Sequence, residues 1–218
     1  MGLASWVALV SKKKNKAEAE LKEVVEVKLS RLPSPFDQLE RASRAEEARA
    51  VLHKIVAITR SPQGLAEQEL RRRAVEVFQR CLKEAYPPGF DAKFALLKAG
   101  RSEGLEMALA FLEADPWFFG SGYVKADLLR FICRMSVAPV YWPRLKRIVL
   151  AAILLRDRRE LRFYRRLAGK VFDSEFSQQV EALTVHEDAG VRRRARWILE
   201  HCRQVSADER FGGNVKRR

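Results

Sequence analysis

Between Val140 and Arg203 apolar residues recur every three to four positions, and arginines fill much of the space between them. On a helix of about 3.6 residues per turn, Leu161, Tyr164, Leu167, Ala168 and Val171 fall on one side. Arg158, Arg159, Arg162, Arg165 and Arg166 fall on the other, which predicts a helix over 158–171. Residues 191–203 repeat the design. Val191, Ala195, Ile198, Leu199 and Cys202 form the apolar stripe, and Arg192, Arg193, Arg196 and Arg203 lie off it, with Trp197 on a flank. A chain patterned in this way folds only if neighbours cover the apolar stripes, so helices must pack on helices. Partner helices are predicted over 143–155 and 175–185. Pro143 suits a helix start, because its missing N–H would be unpaired there anyway. Asp157 and Asp188 are candidate N-caps.

The rest of the chain agrees with an all-α fold. Helix formers dominate, and no alternating runs of β-branched residues appear. Helices are expected over 17–32, 36–59 with a break near Arg44, 65–85, 91–99, 102–113 with Ser102 as N-cap, and 124–136. The segment 115–123 is expected as a loop that carries Trp117, Phe118, Phe119 and Tyr123, with Gly120 and Gly122 permitting its turn. These rings either fill a junction between helix pairs or stack on a ligand. Residues 1–203 read as a single helical-repeat domain. Residues 1–34 form its N-terminal cap region, with a membrane-surface foot as the alternative, and 204–218 a flexible basic tail.

The net charge of +14 is unevenly distributed: residues 140–218 hold 19 Lys+Arg against 10 Asp+Glu, while residues 35–139 hold 16 against 14. That asymmetry points the C-terminal part toward an acidic partner, either nucleic acid or an acidic protein surface. Peripheral membrane contact is the less favoured partner. The run Arg71–Arg73 reads differently. Glu69 and Glu76 stand four residues from Arg73, Arg72 and Arg80, so this is a paired, solvated face. Cys81, Cys133 and Cys202 are far apart and lie on apolar stripes, as reduced thiols of a cytoplasmic protein would. No metal-ligand spacing, phosphate loop, nucleophile motif or cofactor fingerprint occurs, so neither a metal nor a cofactor is expected. No apolar run is long enough to span a membrane.

Val191-Arg192-Arg193-Arg194-Ala195, preceded by Glu187-Asp188 and followed by Ile198-Leu199, resembles the second helix of a HEAT repeat. Leu161-Arg162 with Ala168, and Val124-Lys125 with Leu128, are looser echoes, 30 and 37 residues apart. The resemblance is carried by residues 174–202. It implies an α-solenoid of antiparallel helix pairs whose second helices line a concave face, with Arg130, Arg134, Arg162, Arg166, Arg193 and Arg196 on one groove. The family implies binding more often than catalysis.

Together these readings predict a non-enzymatic module whose basic face engages nucleic acid or another polyanion through Arg130, Arg134, Arg158, Arg162, Arg165, Arg166, Arg192, Arg193 and Arg196. Trp117, Phe118, Phe119, Tyr123 and Trp197 are the stacking or packing candidates. Arginine suits such a surface because its planar fork donates two hydrogen bonds to one phosphate. Two alternatives remain. One is a protein–protein scaffold with incidental charge. The other is an enzyme resembling HEAT-like alkylpurine DNA glycosylases, for which Asp115, Trp117, Tyr141, Trp142 and Arg144 supply the residue types but no alignable motif.

Overall fold

The apolar periodicity becomes nine α-helices in a computed structural model that describes residues 38–59, 64–155 and 160–211, with side chains through Ser206. The expected N-terminal cap and its helix, Asp157, Arg158, Arg159 and the last residues of the tail lie outside the described residues. No β-strand occurs among the described residues, and the chain is all-α. They fall into two packing units.

The first unit holds α1 (Gln38–Ile58), α2 (Leu65–Glu84) and the short segment Pro116–Phe119. Helix α1 runs without the break expected at Arg44. Its buried stripe begins with Ala42, Ala45 and Ala48, small side chains that let α2 approach closely. The Gln38 side-chain amide donates to the Ala85 carbonyl, which ties the start of α1 to the end of α2 as an antiparallel pair. Phe118 is buried edge-on against Tyr86, with ring centroids 5.1 Å apart. Phe119 meets Phe78 edge-on at 6.1 Å and carries the Arg49 guanidinium 5.8 Å from its centroid.

The second unit contains α3 (Phe90–Lys98), a 3-10 turn (Ser102–Gly104), α4 (Leu105–Ala114), α5 (Ser121–Arg134), a second 3-10 turn (Pro139–Tyr141), α6 (Trp142–Leu154), α7 (Leu161–Lys170), α8 (Ser174–Leu183) and α9 (Ala189–Phe211). Helix α3 packs on α5, α5 on α7 and α7 on α9, while α4 packs on α6 and α8 on α9. The core residues Leu109, Phe111, Leu128, Leu129, Ile132, Leu145, Val149, Leu167, Phe176 and Ile198 are all fully buried.

Several local expectations are corrected. Ser102 does not cap a helix: it opens the 3-10 turn, which has no side-chain cap. That turn crosses close to α3. A Cβ on Gly104 would lie 2.4 Å from the Lys93 carbonyl oxygen and 2.6 Å from the Leu97 nitrogen. The loop before α5 is shorter than expected, since the helix begins at Ser121 and takes Tyr123 into its first turn. Of its two glycines, Gly120 is left-handed, at φ 84°, whereas Gly122 is helical and faces the Glu160 carboxylate. The last helix continues past Arg203 to Phe211, so the expected flexible tail is helical over its first eight residues. Asp188 caps α9 as expected, its Oδ1 accepting the Val191 N–H at 2.9 Å. Asp173 performs the same task for α8, accepting the Phe176 N–H at 2.9 Å, and was not anticipated.

Candidate functional site

The arginine faces of α5, α7 and α9 are joined by the packing of these helices. Arg130 and Arg134 stand four residues apart on α5, Arg162 and Arg166 on α7, and Arg193 and Trp197 on α9. Residues so spaced share one face of a helix. Cross-helix interactions connect the faces. Lys170 of α7 donates to the backbone carbonyls of Cys133 and Met135 at the end of α5. The Arg165 guanidinium lies 4.2 Å from the ring centroid of Trp197 on α9. Arg166 acts electrostatically on both Cys133 of α5 and His201 of α9.

Three rings in this region, Trp197, Phe163 and Phe131, meet an arginine. Phe163 has the Arg162 guanidinium 4.8 Å and that of Arg166 5.8 Å from its centroid. Phe131 has Arg130 at 5.5 Å, and on another side the edge-on ring of Phe94. A guanidinium over a ring face is attracted by the ring quadrupole and loses freedom to wander. The Nε atoms of Arg130 and Arg165 are buried with no hydrogen-bond partner among the described residues.

The nine expected cations divide into different environments. Arg134, Arg162 and Arg166 are exposed, and among the described residues no carboxylate pairs with any of them or with Arg165. Arg193 is likewise exposed. Arg130 pairs with Asp127 one turn before it. Arg192 is occupied: its Nη1 donates to the carbonyls of His186 and Glu187 at 2.7 and 2.8 Å. Arg196 reaches the Thr184 carbonyl at 3.5 Å. Arg192 and Arg196 thus reach back to the turn that precedes α9, Arg196 as an exposed side chain. Arg158 lies outside the described residues.

Two cations of the second unit are buried against expectation. Lys125, expected on a polar face, is completely buried, and its Nζ donates to Asp115 Oδ1 at 2.6 Å. Arg194, buried inside α9, donates through Nε to the Ile153 carbonyl at the end of α6, at 2.7 Å. Three residues after Val191 and four before Ile198, it stands at the edge of the apolar stripe, a position its arginine neighbours obscured.

His201 sits beside the face. Burial first, and then the Arg165 and Arg166 charges, hold its imidazole below the usual histidine value. The three thiols are displaced the other way by burial, Cys202 to about 12, which makes them poor nucleophiles. Away from this face, Arg72 and Arg73 grip Glu69, and Arg72 also grips Glu76, as the spacing predicts. Those hydrogen bonds pull the Glu69 carboxyl down to about 2.

The aromatic candidates are dispersed among different roles. Phe118 is core, Trp117 and Phe119 are exposed in the first unit, Tyr123 is exposed on α5, and Trp197 lies half-buried beneath Arg165. Three members of the enzyme-type set, Asp115, Trp142 and Arg144, hold structural contacts, Asp115 with Lys125. Arg144 clamps α4 to α6 through Glu106 and Glu113, at 2.6 and 2.7 Å. The Trp142 indole N–H donates to the Val137 carbonyl. A cavity of about 460 Å³ in the second unit does hold the Asp115 and Glu113 carboxylates, with Arg147, Tyr164 and aliphatic side chains of α6 around them. Both carboxylates are ion-paired, Asp115 to Lys125 and Glu113 to Arg144. No three His, Cys, Asp or Glu side chains cluster as metal ligands among the described residues, and no helix there is long and apolar enough to cross a membrane.

No protein-family model matches the chain, and neither does any curated protein or any solved structure.

Proposed function

We propose that the chain is a binding module whose second unit is a HEAT-like α-solenoid, and that its arginine face engages nucleic acid or another polyanion. The packing of α3 on α5, α5 on α7 and α7 on α9 supports the architecture. A two-layer stack of helix pairs places each helix against the next but one. One observation carries the function: the exposed Arg134, Arg162 and Arg166 have no carboxylate partner among the described residues, in a protein that pairs Arg72, Arg73 and Arg144 closely elsewhere. Cations left unpaired together repel one another, and an anionic ligand relieves that cost.

The test is a salt titration of binding to a labelled 20-base-pair duplex. Each neutralised phosphate contributes about 0.9 to the slope of log K against log salt. Changing Arg134, Arg162 and Arg166 to Glu should remove binding at moderate salt. Changing them to Gln should lower the slope by about 2 to 3, while Arg72→Gln with Arg73→Gln leaves it unchanged. Absence of wild-type binding to any polyanion at low salt overturns the reading.

A base-excision enzyme is the second reading, favoured by the cavity that holds Asp115 and Glu113. It stands behind the first because both carboxylates already neutralise cations. Release of free base from alkylated duplex DNA, lost in Asp115→Asn, would reverse that order.

A further inference from the structure

The arginine face offers aromatic rings as well as cations, and the use of those rings decides which nucleic acid it fits. Proteins that hold single strands present open ring faces on which successive bases stack. Here Trp197 is covered by Arg165, Phe163 is flanked by Arg162 and Arg166, and Phe131 lies between Arg130 and Phe94. All three rings are half-buried. Each ring already has a guanidinium within about 6 Å of its centroid, the range of a cation–π contact, so a base stacking there competes with it.

The same stacking orients the arginines. A guanidinium resting on a ring directs its remaining N–H groups along its own plane, away from the ring centre. Adjacent packed helices lie roughly 8–10 Å apart, so the cations of α5 and α7 with Arg193 of α9 spread across about 20 Å. Positions so restrained favour a ligand whose charges are also fixed in space. A duplex supplies this, with one phosphate on each strand per roughly 3.4 Å of axis. A flexible single strand loses more freedom to match the same positions. A membrane surface is fluid and rewards an apolar wedge among the cations, whereas the rings on this face are occupied.

We infer that this face recognises the phosphate backbone of a nucleic-acid duplex without stacking its bases, and that Trp197, Phe163 and Phe131 are positioning residues for the arginines. The inference rests on the polyanion reading above and narrows it.

The experiment compares three probes at one salt concentration: a 20-base-pair DNA duplex, a 20-nucleotide oligothymidine and vesicles containing phosphatidylserine. The duplex should bind at least about tenfold more tightly than the single strand. Trp197→Leu should weaken duplex binding by about tenfold, the scale of one charge-assisted hydrogen bond, and lower the salt slope by about 1. Arg165→Gln should reproduce both changes, and Trp197→Phe should restore most of the wild-type behaviour. Tyr123→Ala, which removes the exposed ring on α5, should leave duplex binding unchanged. Equal or tighter binding of the oligothymidine, or a loss of binding in Tyr123→Ala, overturns the duplex inference and leaves the polyanion reading standing. Binding to vesicles alone does the same. Silence from all three probes at low salt removes the polyanion reading itself.

Discussion

Asp115 and Lys125 demonstrate what one buried charge asks of its surroundings. Lys125 is completely enclosed, and its ammonium is tolerable there because Asp115 meets it at 2.6 Å. Asp115 occupies a left-handed conformation at the end of α4, with φ 45°, which aspartate and asparagine accept more readily than most residues. Asp115→Asn therefore keeps the backbone and removes the charge. We expect a loss of about 3 kcal/mol, measured by urea unfolding. The opposite change, Lys125→Met, should cost less, because Asp115 retains access to solvent. His201 gives a second residue-scale prediction. Its folded-state value is depressed, so the unfolded chain takes up the proton first as pH falls. Its contribution to stability is complete above the ordinary histidine range and is lost as pH drops through that range toward the lower folded value. The urea midpoint should fall between pH 7.5 and 5.5, and His201→Gln should reduce that fall. The lowered carboxyls of Glu113, Asp173 and Asp188 act in the same direction but at more acidic pH.

At the scale of elements, helices were legible because their burial pattern is local. Of the stripe Leu161–Tyr164–Leu167–Ala168–Val171 all but the half-buried Leu161 are buried, and Val191–Ala195–Ile198–Leu199–Cys202 is buried throughout, as the spacing predicts. Element ends were less legible. Ser102 has the chemistry of a cap, yet the chain makes a 3-10 turn there because Gly104 must pass against the backbone of α3. Gly104→Ala places a methyl group inside contact distance of backbone atoms that cannot swing aside. Overpacking of this kind costs about 1–3 kcal/mol, and thermal unfolding of the variant checks it. Asp173 was missed as a cap because its partner, the Phe176 N–H, becomes a donor in need only once α8 is known to start at Ser174.

On the scale of the whole molecule, the governing quantity is the net charge of +14. Self-repulsion among unpaired cations opposes folding, and salt screens it over a Debye length of about 10 Å at 0.1 M. Raising salt from 20 to 300 mM should therefore increase Tm by about 2–4 °C, which corresponds to roughly 1 kcal/mol for a chain of this size. A saturating polyanion should stabilise the protein at low salt and cease to do so at high salt. The Arg134, Arg162 and Arg166 to Gln variant should be less sensitive to both. The all-α class, the helix pairs and the cationic sides of α5, α7 and α9 were readable from residue order, because amphipathic periodicity is a property of each helix alone. The fate of individual cations was not. Spacing puts Arg192 and Arg194 at the two edges of the apolar stripe and Arg193 and Arg196 opposite it, but names no partner for any of them. In the fold Arg194 is buried on the Ile153 carbonyl, Arg192 and Arg196 reach back to the preceding turn, and Arg193 is exposed. A helix's own sequence states which side is polar. Which acceptors and rings its neighbours bring to that side depends on packing between segments distant in the chain, and that packing selected which arginines stay exposed.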